Sequence, residues 1–263
     1  MAVLPVRDAE RLAAAFCCSL AEVELAALAE HIAPARYERN LGTIGWEGQT
    51  RLLRASVAVA GAGGLGGWVV EGLVRMGVGR LTVVDGDVFA DNNLNRQLGC
   101  DSNTLGRPKA AVLAERAAAV NPAVLVTPRV CWLTAENAAG LLAEADVVVD
   151  ALDSLPARAI LQRAAQSLGM PLVHGAIAGN TGQVMTILPG DAGLFALYGE
   201  RAALPQQGIE RQLGNPAATP MLVAAWQLHE VVKLLCGSGS LLRNRLLVID
   251  AEFGEFTEIQ LAP

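Results

Sequence analysis

The apolar positions of this chain change period again and again, and each change marks an element boundary. Ala55-Ser-Val-Ala-Val-Ala60 is apolar on both faces for the length of one strand, as a strand covered on both sides requires. Residues 65–76 then carry helical spacing, and Arg80-Leu-Thr-Val-Val-Asp85 reads as the next strand. The alternation continues downstream. Strands are expected at 124–127, 146–150, 171–174 and 183–188, with helices starting near Lys109, over 136–144 and from Ser154 to Leu168. Residues 217–235 form the last long helix, closed by Cys236-Gly237, and 245–250 and 255–261 are two final strands. This order predicts an α/β fold, a Rossmann-like mixed, mainly parallel sheet with helices on both faces.

Two stretches depart from that rhythm. Residues 1–35 read as a helical N-terminal segment, with Ser19-Leu-Ala-Glu22 as a capping box. Arg36-Tyr-Glu-Arg39 and a loop carrying Gly42, Gly45 and Gly48 would join it to the main domain, residues 36–263. Residues 189–220 are rich in proline, glycine, alanine and glutamine with little periodicity, and a loop that long in a compact domain is functional or mobile.

The first strand and helix are joined by Gly61-Ala-Gly63-Gly64-Leu-Gly66, a G-x-G-x-x-G turn. Glycines there let backbone approach an anion, and the helix's free N–H groups and dipole favour its charge. Asp85 ends the second strand roughly twenty residues on, where a carboxylate binds ribose hydroxyls. After it the chain turns polar through Asp87, Asn93, Arg96 and Gln97, in the loop region where parallel sheets hold ligands. Lys109 falls in the first turn of a helix, an awkward place for a cation unless an anion lies nearby. Arg96 and Lys109 read either as phosphate clamps or as surface cations. Asp153 follows a central strand, and it is either a helix N-terminal carboxylate or a Mg²⁺ ligand beside phosphates. His174 reads as structural.

Composition narrows the class. The chain has 263 residues, is 52% hydrophobic and carries a net charge of −6, which disfavours a general nucleic-acid binder. Five cysteines lie scattered with no C-x-x-C, a pattern of reduced thiols in a cytoplasmic protein. No apolar run reaches the roughly 18 residues of a membrane span.

Taken together, these residues resemble the ThiF/MoeB/HesA family, relatives of ubiquitin-activating enzymes. The matching pieces are Arg36-Tyr-Glu-Arg39-Asn40, Gly48-Gln49, the glycine turn, Asp85-Gly-Asp87, Asn93-Leu-Asn-Arg96-Gln97, Gly106-Arg-Pro-Lys109 and Asp153. The resemblance implies ATP- and Mg²⁺-dependent adenylation of the C-terminal glycine carboxylate of a small β-grasp protein, such as a sulfur carrier, or of a peptide. It assigns Asp85 to the ribose, Arg96 and Lys109 to phosphates, Asp153 to Mg²⁺, and Arg39 to the partner's site in a homodimer. Gly61, Gly63, Gly64, Gly66, Asp87, Asn93 and Gln97 complete the expected nucleotide site, and 189–220 would be the crossover loop.

The sequence departs from the family pattern in two ways. The two C-x-x-C pairs that often bind zinc are missing, so no zinc is expected, and the crossover loop holds no cysteine for a thioester step. Two other readings stay open: an NAD-dependent oxidoreductase, on the glycine turn and Asp85 alone, and a non-catalytic nucleotide-binding regulator.

Overall fold

The computed structural model describes residues 1–199 and 210–261. The chain opens with strand β1 (Ala2–Leu4), helices α1 (Val6–Phe16) and α2 (Leu20–Ala29), and strand β2 (Ile32–Pro34). Helix α3 (Glu38–Arg54) leads to β3 (Ser56–Ala60), α4 (Gly64–Met76) and β4 (Arg80–Val84). Next come α5 (Lys109–Val120), β5 (Leu125–Arg129), α6 (Ala138–Leu142), β6 (Val147–Asp150) and α7 (Leu155–Ser167). The hairpin β7 (Leu172–Ala178) and β8 (Thr181–Ile187) precedes the short helices α8 (Leu194–Tyr198) and α9 (Glu210–Leu213). Helix α10 (Ala218–Cys236) and strands β9 (Arg245–Asp250) and β10 (Glu255–Gln260) close the chain.

Eight strands form one sheet in the order β10-β9-β8-β7-β6-β3-β4-β5. Strands β7, β6, β3, β4 and β5 run parallel, and β8, β9 and β10 are added antiparallel. The expected mixed, mainly parallel sheet is therefore present. Strand β3 shows why both its faces are apolar. Val57 and Val59 join a core with Leu65, Val69 and Leu73 of α4 and Val223 and Val231 of α10. Ala58 and Ala60 face the other way, toward Leu161 and Ala165 of α7. Successive side chains of a strand point to opposite faces, so a helical layer on each side demands this pattern.

The region before β3 differs from expectation. The loop expected around Gly42, Gly45 and Gly48 is helix α3, with a break at Gly45 (φ 68°, ψ 179°) that glycine tolerates. Tertiary packing overrides the poor helix propensity of the glycines. Leu52 and Leu53 are buried, a Cβ on Gly48 would touch Ile44 at 3.0 Å and Cys236 at 3.4 Å, and Gln49 bridges Asn40 to the Met76 carbonyl. Residues 1–35 contain, besides their two helices, the short parallel pair β1–β2. The Ser19 capping box is formed as expected. Arg36 is not a solvated cation. Its Nε lies 2.7 Å from buried Glu24, and its Nη1 donates to Asn121 Oδ1 at 2.5 Å.

Within the stretch 189–220, residues 200–209 lie outside the described residues, and α8 and α9 flank them. Among the described residues, no single helix is long and apolar enough to cross a membrane.

Candidate functional site

The carboxyl ends of β3, β4, β5 and β6 open into one cleft of about 550 Å³. Gly61, Gly63, Gly64, Asp85, Asp87, Arg96, Gln97, Lys109 and Asp153 all line it. Residues scattered over nearly a hundred positions thus meet at one place, as expected for the crevice of a parallel sheet.

The glycines of the turn have separate jobs. A Cβ on Gly66 would sit 1.8 Å from the Gly61 carbonyl oxygen, so Gly66 allows α4 to pack against the turn and does not itself line the cleft. Gly61, at φ 97°, lies against the β6–α7 loop, where a Cβ would come within 2.4 Å of Ala151 O. At Gly63 and Gly64 a Cβ would meet only side chains of Gln97, Pro220 and Arg96, none nearer than 3.6 Å. The space kept clear at these two positions is cleft, at the N-terminus of α4.

Asp85 accepts hydrogen bonds from the backbone N–H of Ala62 at 2.7 Å and of Asp87 at 2.8 Å. Burial pushes its carboxyl above the usual range, partly offset by those two N–H groups. A carboxylate has about four acceptor positions, so room remains for a ribose hydroxyl. Lys109 is buried, and its Nζ donates to Asp87 at 2.6 Å. Burial alone would raise the Asp87 carboxyl, but Lys109 and the Val88 N–H outweigh it and hold the group below its ordinary value. Asp87 is therefore the anion that makes a lysine tolerable in the first turn of α5.

Arg96 lies beside Gly64 and is steadied from behind. Its Nη1 donates to Asn92 O at 2.9 Å and to Asn95 Oδ1 at 2.8 Å, and Trp68 Nε1 donates to its carbonyl. Gln97 is buried with its Oε1 unpartnered among the described residues. Asp153 is exposed and, among the described residues, its carboxylate accepts no hydrogen bond. Ser154 takes the N-cap position of α7 but its side chain makes no capping bond.

Two expected residues stand apart. Asn93 is buried in the polar loop, where it accepts from the Ala90 N–H and donates to Asn92, and it does not line the cleft. It shapes the turn that carries Arg96. Arg39 is exposed near the start of α3 and is likewise absent from the lining of its own chain's cleft.

The cleft also contains residues without a sequence signal. Arg158 donates from Nε and Nη2 to the Leu152 carbonyl, at 3.1 and 2.6 Å, and so clamps the loop that carries Asp153. Behind it His174 Nδ1 lies 2.7 Å from fully buried Asp150. Burial lowers the imidazole pKa while Asp150 pulls the other way, and Nε2 has no partner among the described residues. Burial thus favours the neutral ring, and the tautomer that suits the carboxylate is the one carrying its proton on Nδ1. Trp132 and Cys131, after β5, form the wall beside Asp85.

At its far end the cleft is walled by Ala176, Ile177 and Ala178 of β7, Thr181 and Gln183 of β8, and Asn215. Strand β7 stays paired with β8 to Ala178, but its last rung with β6 is His174 opposite Asp150. Among the described residues, 175–178 therefore present an unpaired strand edge on the β6 side. Gln183 Oε1 and Asn215 Oδ1 are buried and unpartnered among the described residues.

The doubly wound sheet, the glycine turn and the cations at one cleft define a nucleotide-binding α/β protein. The chain belongs to the ThiF family, which residues 37–263 match. It is 40% identical over 235 residues to a sulfur carrier protein adenylyltransferase of Thermus thermophilus, covering 85% of this chain and 86% of that one. It is 38% identical to the SAMP-activating enzyme E1 of Haloferax volcanii, with 82% and 81% covered. In fold it is similar to Escherichia coli MccB solved with ATP, at a TM-score of 0.74 and 19% identity over 87% of this chain and 74% of that one.

Proposed function

We propose that this protein is an adenylyltransferase that uses ATP to activate the C-terminal glycine carboxylate of a small sulfur-carrier-type β-grasp protein or a peptide. One observation carries the reading. A single cleft joins a phosphate-directed end, with Lys109, Arg96 and the glycine turn, to an end where strand edge 175–178 is unpaired among the described residues. An extended chain terminus can add to such an edge through main-chain hydrogen bonds, and the unpartnered Gln183 and Asn215 oxygens suit its N–H groups. The relatives' names speak for adenylation rather than hydride transfer.

The chemistry asks for little acid–base work. The attacking carboxylate is already ionised at neutral pH, and it must meet a triphosphate of like charge. Asp85 binds the ribose, Gly63 and Gly64 admit the phosphates to the N-terminus of α4, and Lys109 and Arg96 stabilise the charge that develops at the α-phosphate. Lys109 can turn from Asp87 to the nucleotide, so its charge is balanced before and after binding. Such preorganised electrostatics is usually the largest catalytic contribution.

Mg²⁺ fits the residues present. Asp153 offers one exposed carboxylate, unengaged among the described residues, and Mg²⁺ takes one or two carboxylates together with phosphate oxygens and water. When bound, the ion would neutralise phosphate charge. Structural zinc is not part of the proposal, since the sequence carries no C-x-x-C pair to bind it. Arg39, exposed and outside its own cleft, is free to serve the cleft of a second subunit in a homodimer.

The test is ATP–pyrophosphate exchange. It should appear only when a carrier protein or peptide ending in glycine is added, and vanish when that terminus is amidated. Exchange that ignores the terminal carboxylate would refute the reading.

A further inference from the structure

Along the carboxyl edge of the sheet the cleft has a fixed order. Asp153 follows β6, the glycine turn follows β3, Asp85 follows β4 and Trp132 follows β5. A nucleotide whose phosphates lie at the glycine turn and whose ribose lies at Asp85 must place its base toward β5. What it meets there is an indole.

Trp132 is 66% exposed although it lines a cleft, an unusual position for so large an apolar surface. It is held in place rather than loose. Its carbonyl accepts from Asn137 Nδ2 at 2.8 Å, and Asn137 Oδ1 accepts from the Thr134 N–H at 2.8 Å. On the other side, the Arg129 carbonyl accepts from both Asp85 N at 3.1 Å and Cys131 N at 3.0 Å, tying the loop to the ribose carboxylate. The ring lies against Gly86, where a Cβ would come 2.8–2.9 Å from Cγ, Cδ2 and Cε2 of the indole. Glycine between Asp85 and Asp87 therefore leaves space for a flat ring directly beside the ribose carboxylate.

We infer that Trp132 is the stacking platform for the nucleotide base, held by Gly86 and Asn137 beside Asp85. This rests on the cleft being the ATP site proposed above. Stacking on an indole buries the apolar surface now exposed, and an aromatic platform holds any base by its π-face.

The test compares ATP with inorganic tripolyphosphate, which has the phosphates and no base, by calorimetric titration of the full chain. Trp132→Ala should weaken ATP binding about ten-fold or more, the usual loss for one stacked base. Trp132→Phe should keep affinity within about three-fold, because a ring remains. Tripolyphosphate should bind both variants as it binds the wild type. Wild-type ATP affinity in Trp132→Ala would overturn the inference, and so would an equal loss for tripolyphosphate, which would mean that the residue only shapes the loop. The adenylation reading fails separately. Trp132-dependent ATP binding without carboxylate-dependent exchange would keep the platform and reject the adenylyltransferase.

Discussion

Asp153→Ala lowers carboxylate-dependent ATP–pyrophosphate exchange by at least about 100-fold, the scale of losing one group that stabilises transition-state charge. The fold should not notice the change. Asp153 is exposed, and among the described residues it makes no hydrogen bond or ion pair, so its removal should shift stability by no more than about 0.5 kcal/mol. Arg158 would still clamp Leu152, and the loop would keep its course. A thermal midpoint equal to wild type together with lost exchange is the expected pair of results. Exchange near the wild-type rate would remove Asp153 from the proposed Mg²⁺ site.

The second large effect is a gain from two dead proteins. If Arg39 serves the neighbouring subunit, Arg39→Ala and Asp153→Ala are each inactive alone. Mixed under conditions of subunit exchange, they form dimers with one intact site, which pairs Asp153 of the Arg39→Ala chain with Arg39 of the Asp153→Ala chain. Equal mixing makes half the dimers mixed, with one good site in two, so roughly a quarter of wild-type activity should return. If Arg39 acts within its own chain, every site lacks one residue and none returns. The structure motivates the experiment by keeping Arg39 exposed and off the lining of its own cleft.

How far the sequence foretold this protein depends on how local each signal was. Strand β3, the glycine turn and α4 were legible because a short continuous apolar run, glycines and helical spacing lie within one stretch. Asp85, Arg96, Lys109 and Asp153 were legible through strand ends and short motifs, and they do meet in one cleft. Helix α3 was not legible, since three glycines spell a loop unless one knows that α10 packs against this segment, with Cys236 beside Gly48. Nor was the burial of Arg36, which depends on Glu24 and Asn121 from distant elements. Asn93 sat in the right motif, but its amide serves the turn. Trp132 carried no local signal, because its meaning comes from Gly86, which lies beside it only when β4 and β5 pair. Lys109 was read as needing an anion, and Asp87 is one.

The measurement closest to the central claim is the intact mass of the acceptor itself. A small β-grasp protein ending in glycine, incubated with this enzyme, ATP and Mg²⁺ and trapped quickly in acid, should gain one adenylyl group. Fragmentation should locate that group on the terminal carboxylate, and the gain should be absent with Asp153→Ala. An acceptor that stays unmodified while ATP is bound, or that carries the adenylyl group anywhere but its C-terminus, would contradict the account.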